Sequence, residues 1–245
     1  MFRNQYDTDC ITWNPQGRIF QVEYAMEAVK QGSCTVGLTS KTHAVLLASK
    51  KAISELSSYQ DKVFKVDDHI GISISGLSAD GRVLCNFMRN ESLNHQFVYE
   101  SAHPVGRLVE KIAEKSQLKT QRYSKRPYGV GLLVTGVDKT GAHLYETSPS
   151  GEFNEYKSIA IGAKSQASKT YLEKNFESFT DLSLDDLIKH GVTALRKAES
   201  EDNPITSKNL SIGVVGIDEP FRLLEGEEVS KYLPAAEGQM DTSAQ

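Results

Sequence analysis

Hydrophobic periodicity along this chain switches in one order: a helical stretch, short strands, two helical stretches, strands, two helical stretches, strands. A sheet hides one face and a helix hides one stripe, so each block of strands needs a pair of helices to cover it. Two such blocks in 245 residues fit as two antiparallel sheets stacked face to face between two helix layers. The predicted fold class is α/β, an αββα four-layer sandwich, and chains of this length in such layouts form one domain.

Asn14-Pro15-Gln16-Gly17 has the residues of a tight turn, with Pro15 where φ must be near −65° and Gly17 at the fourth position. Over residues 18–31, Ile19, Val22, Met26 and Val29 keep helical spacing beside a second stripe of Phe20, Tyr24 and Ala28, and Gly32 ends the helix. Strands are predicted at 34–38, at 44–48 and where Ile70, Ile72 and Ile74 alternate with small residues. Ser78 is expected to cap a helix with Asp80 in its first turn and Val83, Leu84, Phe87 and Met88 on its apolar face. Pro104 is expected at the first position of a helix in which Val105, Leu108, Val109, Ile112 and Ala113 fill the apolar stripe.

A basic loop over 119–126 leads to a predicted hairpin, 129–137 and 142–147, and a turn at 148–151 opens one further strand over 153–161. Helices are expected over 165–176 and after a Ser183 cap with Asp186 three residues on, with Leu184, Leu187, Ile188, Val192 and Leu195 along one face. Strands at 210–217 and 221–224 close the fold. The stretch 234–245 is small, polar and without period, and is expected to stay disordered.

Composition excludes several classes. With 24% charged residues and a net charge of −4, the chain has no electrostatic footprint for nucleic acid or anionic lipid. Its longest apolar run, 130–137, is far short of the roughly 20 residues a bilayer crossing needs, and residues 1–9 have no apolar core for a secretion signal, so an intracellular protein is expected. Cys10, Cys34 and Cys85 are odd in number and widely spaced, which fits reduced thiols better than a disulfide framework or a zinc site.

Isolated motif fragments complete no site. Gly129-Val130-Gly131 has no third glycine at dinucleotide spacing, so its glycines read as close-packing positions. The run from Gly71 to Gly76 is a near miss to a serine-hydrolase elbow but lies inside an alternating strand, which makes its serines packing neighbours. None of the six histidines pairs with another at i, i+3 or i, i+4. No cofactor and no metal is expected.

The segments 2–7 and 14–32, including Asn14-Pro15-Gln16-Gly17-Arg18-Ile19-Phe20-Gln21-Val22-Glu23-Tyr24-Ala25-Met26-Glu27-Ala28, resemble the N-terminal signature of alpha-type subunits of the 20S proteasome. Further pieces agree in order: 41–45, 76–80 with 82–84, 126–131 and 161–163. The resemblance covers residues 1–233, and the opening Met1-Phe2-Arg3-Asn4 together with 121–131 is most similar to the branch at the sixth position of the eukaryotic alpha ring. It implies an N-terminal nucleophile hydrolase fold with an extra N-terminal helix at about 18–31, arranged as a gate tail over 1–13 and a single domain over 14–233.

The resemblance also implies inactivity. Catalytic members of the superfamily begin at a threonine whose own α-amine serves as base. Ser33 stands at that position here but follows Gly32 in mid-chain, and the carboxylate of the active relatives is replaced by Ser49. The implied role is structural and gating, in ubiquitin-dependent and ubiquitin-independent protein degradation in cytoplasm and nucleus. The implied partners are neighbouring alpha subunits in a heteroheptameric ring, beta-ring subunits, and regulatory ATPases and other activators that dock by their C-terminal tails.

Tyr6, Asp7, Pro15 and Tyr24 match the family's cluster that holds the tails, with Thr8 where an arginine is usual; Gly32 and Lys62 match its activator pocket. Blander readings stay open: the four gate residues only fix the start of the helix, and Lys62 is a solvated lysine beside Lys50, Lys51 and Lys65. The alternative function is a self-processing amidohydrolase that uses Ser33, and a third reading is a free-standing binding module.

Overall fold

The computed structural model describes residues 5–52, 54–199 and 204–233. The expected disordered stretch 234–245 and the first four residues of the expected gate tail lie outside the described residues. In chain order the elements are α1 (Phe20–Gln31), β1 (Thr35–Thr39), β2 (His43–Ser49), β3 (Val63–Asp67), β4 (Ile70–Gly76), α2 (Ser78–Tyr99), α3 (Val105–Gln121), β5 (Val130–Asp138), β6 (Gly141–Thr147), β7 (Phe153–Glu155), β8 (Ser158–Ile161), α4 (Ser165–Phe179), α5 (Leu184–Ala198), β9 (Leu210–Gly216), β10 (Glu219–Leu224) and α6 (Glu227–Ser230).

Two five-stranded sheets result, ordered β10-β9-β2-β1-β8 and β3-β4-β5-β6-β7, antiparallel throughout. Their faces sort the apolar residues into three layers. Val36, Leu38, Val45 and Leu47 face α4 and α5 through Leu172, Leu187, Ile188 and Leu195. Ile70, Ile72, Ile74, Leu132 and Val134 face α2 and α3 through Leu84, Met88, Leu108 and Ile112. Between the sheets lie Ala44, Leu46, Ala48, Val63, Leu133, Leu144, Ile161, Val215 and Phe221. Alternate residues of each strand thus serve the inter-sheet layer and an outer layer, as a two-residue side-chain period requires, and the expected αββα sandwich is the observed one.

Small residues on β4 let the sheets meet. Its inward positions are Gly71, Ser73 and Ser75: a Cβ on Gly71 would sit 1.9 Å from the Phe221 ring, and the Ser73 hydroxyl pairs with that of Thr35 on β1. The expected close packing at Gly129 and Gly131 is also present, because a Cβ there would lie 2.8 Å from Leu77 and from Val29 respectively.

Several local expectations are corrected. The strand expected over 153–161 is two strands in different sheets: Tyr156 N still donates to Leu144 O on β6, whereas Thr39 N on β1 already donates to Lys157 O, so the chain changes sheets between those two residues. The strand β3 is an addition to the expected set, although Val63 and Val66 are buried and their neighbours less so. The helix α2 runs on to Tyr99, because no breaker interrupts it before Glu100 turns left-handed at φ 51°.

Ser78 is not a cap. Leu77 holds the N-cap position, and Ser78 Oγ instead accepts from Gln60 Nε2 at 2.6 Å. Pro104 is the N-cap of α3 and not its first residue, and the Asp138 carboxylate receives the free Val105 N–H at 3.2 Å. The helix α1 starts at Phe20, two residues later than expected, because Ile19 is still extended. The Ser183 cap is observed, with Asp186 N donating to its hydroxyl at 3.3 Å.

Phe221 fills the groove that Gly71 leaves, so Gly71→Ala overpacks a site with no slack. A loss of about 1–3 kcal/mol is expected in denaturant unfolding of the purified chain. An unchanged midpoint would show that the ring can move aside.

Candidate functional site

The helix α1 passes directly into the first strand through Gly32, which is extended at φ −63° and ψ 152°. Gly32 is needed because of how closely β4 approaches: a Cβ would lie 2.2 Å from Gly76 N and 2.5 Å from Ser75 Oγ. Its carbonyl accepts from Ala163 N at 2.7 Å, and Gly162, at φ +101°, presses on the same point, since a Cβ there would meet Ser33 O at 2.6 Å. Ser75 Oγ lies 2.9 Å from Val29 O and 3.3 Å from Ser33 O. The junction is therefore gripped by β4 on one side and by the turn between β8 and α4 on the other.

Ser33 has neither of the two things a nucleophile there would need. Its nitrogen lies inside a peptide bond, where the lone pair is delocalised into the carbonyl, so it cannot accept the hydroxyl proton. Its hydroxyl donates to Ser49 O at 2.8 Å. Ser49 closes β2, and its own Oγ is buried with no hydrogen-bond partner among the described residues. A hydroxyl in that place cannot orient or stabilise a proton transfer as a carboxylate would.

Lys62 brings a cation against this junction. Its side chain is buried, 5% exposed, and Nζ is 3.4 Å from Ser33 O. The main chain of Lys62 is itself fixed, with Ile74 N donating to Lys62 O at 3.0 Å. Among the described residues no carboxylate forms an ion pair with it, which contrasts with similarly buried Lys50, paired to Glu225 at 2.8 Å. Burial first, and then the charge of Lys51, pull the Lys62 ammonium down to about 8 from an ordinary 10.5. The reading of Lys62 as a solvated lysine is thereby corrected. Of the lysines grouped with it, Lys50 is buried and paired, Lys65 bonds Asp68 at the surface, and Lys51 alone is exposed without such a pair among the described residues.

At the other end of α1, Tyr24 Oη donates to Asp7 Oδ2 at 3.3 Å, and Gln21 Nε2 donates to the main-chain carbonyl of Asp7. Two residues one turn apart on the helix thus hold the same tail residue. Tyr6 is exposed, as is Thr8 at the position where an arginine is usual. Pro15 stands exposed in the turn that Gly17 N closes on Asn14 O at 3.0 Å, and Asn14 Oδ1 adds bonds from Gln16 N and Arg18 N at 3.0 and 2.8 Å. Asp7 and Tyr24 are therefore joined directly, while Pro15 acts through the turn that leads into α1.

Ser75, Gly162, Ala163 and Gln21 join the site although the sequence marks them only as packing or family-motif positions and not as site residues. The run of small residues at 71, 73 and 75 on an alternating strand was the available signal for Ser75. The other three act through main-chain groups or reach a main-chain carbonyl, which leaves little compositional trace. All three cysteines are free and buried.

Comparison with known proteins agrees with this geometry. Residues 6–28 match the family described as the N-terminal signature of A-type proteasome subunits, and residues 29–215 match the general proteasome family. Among curated relatives, the alpha type-1 proteasome subunit of Dictyostelium discoideum is 57% identical over 98% of this chain and 97% of its own length. The alpha type-6 proteasome subunit of Saccharomyces cerevisiae is 51% identical over 95% of this chain and 100% of its own. The alpha type-1 proteasome subunit of Drosophila melanogaster is 47% identical over 96% of this chain and 86% of its own.

A peptidyl electrophile that captures N-terminal nucleophiles is expected to leave Ser33 unmodified, and the intact mass is expected to include the residues ahead of it. A processed chain that begins at Ser33, reacts with the probe and loses that reactivity in Ser33→Ala would contradict the assignment.

Proposed function

This chain belongs to the proteasome alpha-type family, and on that premise we propose that it takes the sixth position of the outer heteroheptameric ring of the 20S core, where it gates the pore and docks activators. Like other alpha-type members it is non-catalytic, and the observation that carries this is the uninterrupted peptide link at Ser33, whose hydroxyl is bonded to Ser49 O. It works through contacts with neighbouring alpha subunits and with the beta ring, in ubiquitin-dependent and ubiquitin-independent degradation. Three free, buried cysteines suit the reducing cytoplasm and nucleus, where we place it.

Activator docking is supported by Lys62. A buried ammonium with no carboxylate partner among the described residues leaves an unmet demand for an anion. The C-terminal carboxylate of a regulatory ATPase or another activator supplies one and needs only a cation and nearby main-chain donors. A single such contact is weak, so several pockets around the ring must be filled together. Gating is supported by the bonds from Tyr24 and Gln21 to Asp7, which hold the tail ahead of α1 in one arrangement that a small displacement would release.

Lys62→Ala in assembled particles is expected to weaken binding of an activator's C-terminal peptide at least about tenfold, since charge-assisted hydrogen bonds contribute ~1.5–3 kcal/mol. Unchanged affinity would remove Lys62 from the pocket. The pH dependence has two opposite signs. Because the folded value of about 8 lies below the ordinary 10.5, the fold carries the cost of the buried charge in full below pH 8, and that cost is relieved as pH rises from 8 to 10.5. Carboxylate binding needs the ammonium and is expected to fall as pH rises through 8, while Lys62 itself favours the folded chain more over the same window. A titration of peptide affinity across about one pH unit on either side of that value checks the first sign. In the same particles, removal of residues 1–9 is expected to raise basal hydrolysis of short peptides without preventing assembly.

A further inference from the structure

The tail and the body meet at Cys10, the first buried residue among those described, with residues 5–9 exposed or partly so. Its sulfur lies 3.1 Å from Lys125 O, 3.4 Å from Arg122 O and 3.5 Å from Lys119 O. These are the carbonyls at the C-terminal end of α3 and in the loop beyond it, where a helix leaves acceptors without intrahelical partners. A carbonyl oxygen only accepts, so the thiol is the donor at the centre of the three.

The chain around Cys10 is stiff. Asp9 Oδ1 accepts from Ile11 N at 2.9 Å and from Thr12 Oγ1 at 2.8 Å, closing a turn with Cys10 inside it. The loop that supplies the acceptors is stiff as well. Asp80 receives Arg126 through two bonds of 2.6 and 2.9 Å and Gly129 N at 2.9 Å, and Arg126 foremost holds its carboxyl below the usual range. Gly129 O in turn accepts from Leu77 N at 2.8 Å, next to Gly76, whose nitrogen abuts Gly32.

We propose that Cys10 is the pivot of the gate tail: its thiol pins the chain to the carbonyls at the end of α3 and just beyond it, so residues 5–9 move about that point while the residues behind it stay with the body. This rests on the gating reading above and adds a positioning residue to it. A cavity of about 330 Å³ lies beside the pivot, lined by Thr8, Gln21 and Tyr123 among others, and gives the tail room to move. Contacts run from Cys10 through the loop, Arg126, Asp80 and Gly129 to Gly76 beside Gly32.

The test uses particles assembled with Cys10→Ala or Cys10→Ser and reads short-peptide hydrolysis with and without an activator. Cys10→Ala frees the anchor point, so the closed arrangement, which needs the tail to start from one place, loses more order than the open one; the basal rate is expected to rise about five-fold, the ratio that ~1 kcal/mol gives, and the activated rate to stay unchanged. Cys10→Ser keeps a donor and is expected to restore the closed basal rate. Amide exchange at Ile11 and Thr12 in the same particles should quicken in the Ala form and not in the Ser form, a readout that stands even if the Ala particles are scarce. If removal of residues 1–9 opens the pore but Cys10→Ala leaves both readouts at the native level, the pivot is wrong and gating stands. If removal of the tail also changes nothing, both fall.

Discussion

One unbroken peptide link decides what this chain can do. Because residues 20–31 continue into Ser33 instead of being cut away, the nitrogen at that position carries no basic lone pair, and the surrounding fold closes on an interior stretch of backbone. Ser75 bonds the helix end, Ala163 bonds the Gly32 carbonyl, and Gly76 and Gly162 lie too close for any side chain at Gly32.

The same junction concentrates the costs of burial. Elsewhere buried charge is compensated: Lys50 meets Glu225 and Asp80 meets Arg126. Among the described residues Lys62 Nζ is hydrogen-bonded only to main-chain oxygen, and a buried ammonium in that state is a standing penalty unless an anion arrives. The close fit at Gly71 and Gly191 shows how little space the apolar layers leave.

Rigidity and motion are divided at the two ends of α1. Behind it the chain enters the sheets and is fixed by the ladders; ahead of it the chain is held by a few side-chain bonds, from Tyr24 and Gln21 to Asp7 and from Cys10 to the carbonyls after α3. The tail is thus held by far fewer bonds than the ladders give the body. The helix between joins the Gly32 junction to the tail.

Most of the fold was legible in order and type, because burial on one face imposes its period on the residues themselves. Ile70, Ile72 and Ile74 announce a strand, and Val105 to Ala113 a helix, before any partner is known. Pairing across long separations leaves no such trace, so the change of sheets between Tyr156 and Lys157 and the added β3 were decided by neighbours far away in sequence. That Ser33 carries an amide and not an amine in this chain is legible in the sequence, and the family likeness is what marks the residues ahead of it as retained. That Lys62 is buried and unpaired, and that Cys10 meets three carbonyls more than a hundred residues away, belongs to the tertiary structure, because burial and hydrogen-bond partners arise only when distant segments are packed together.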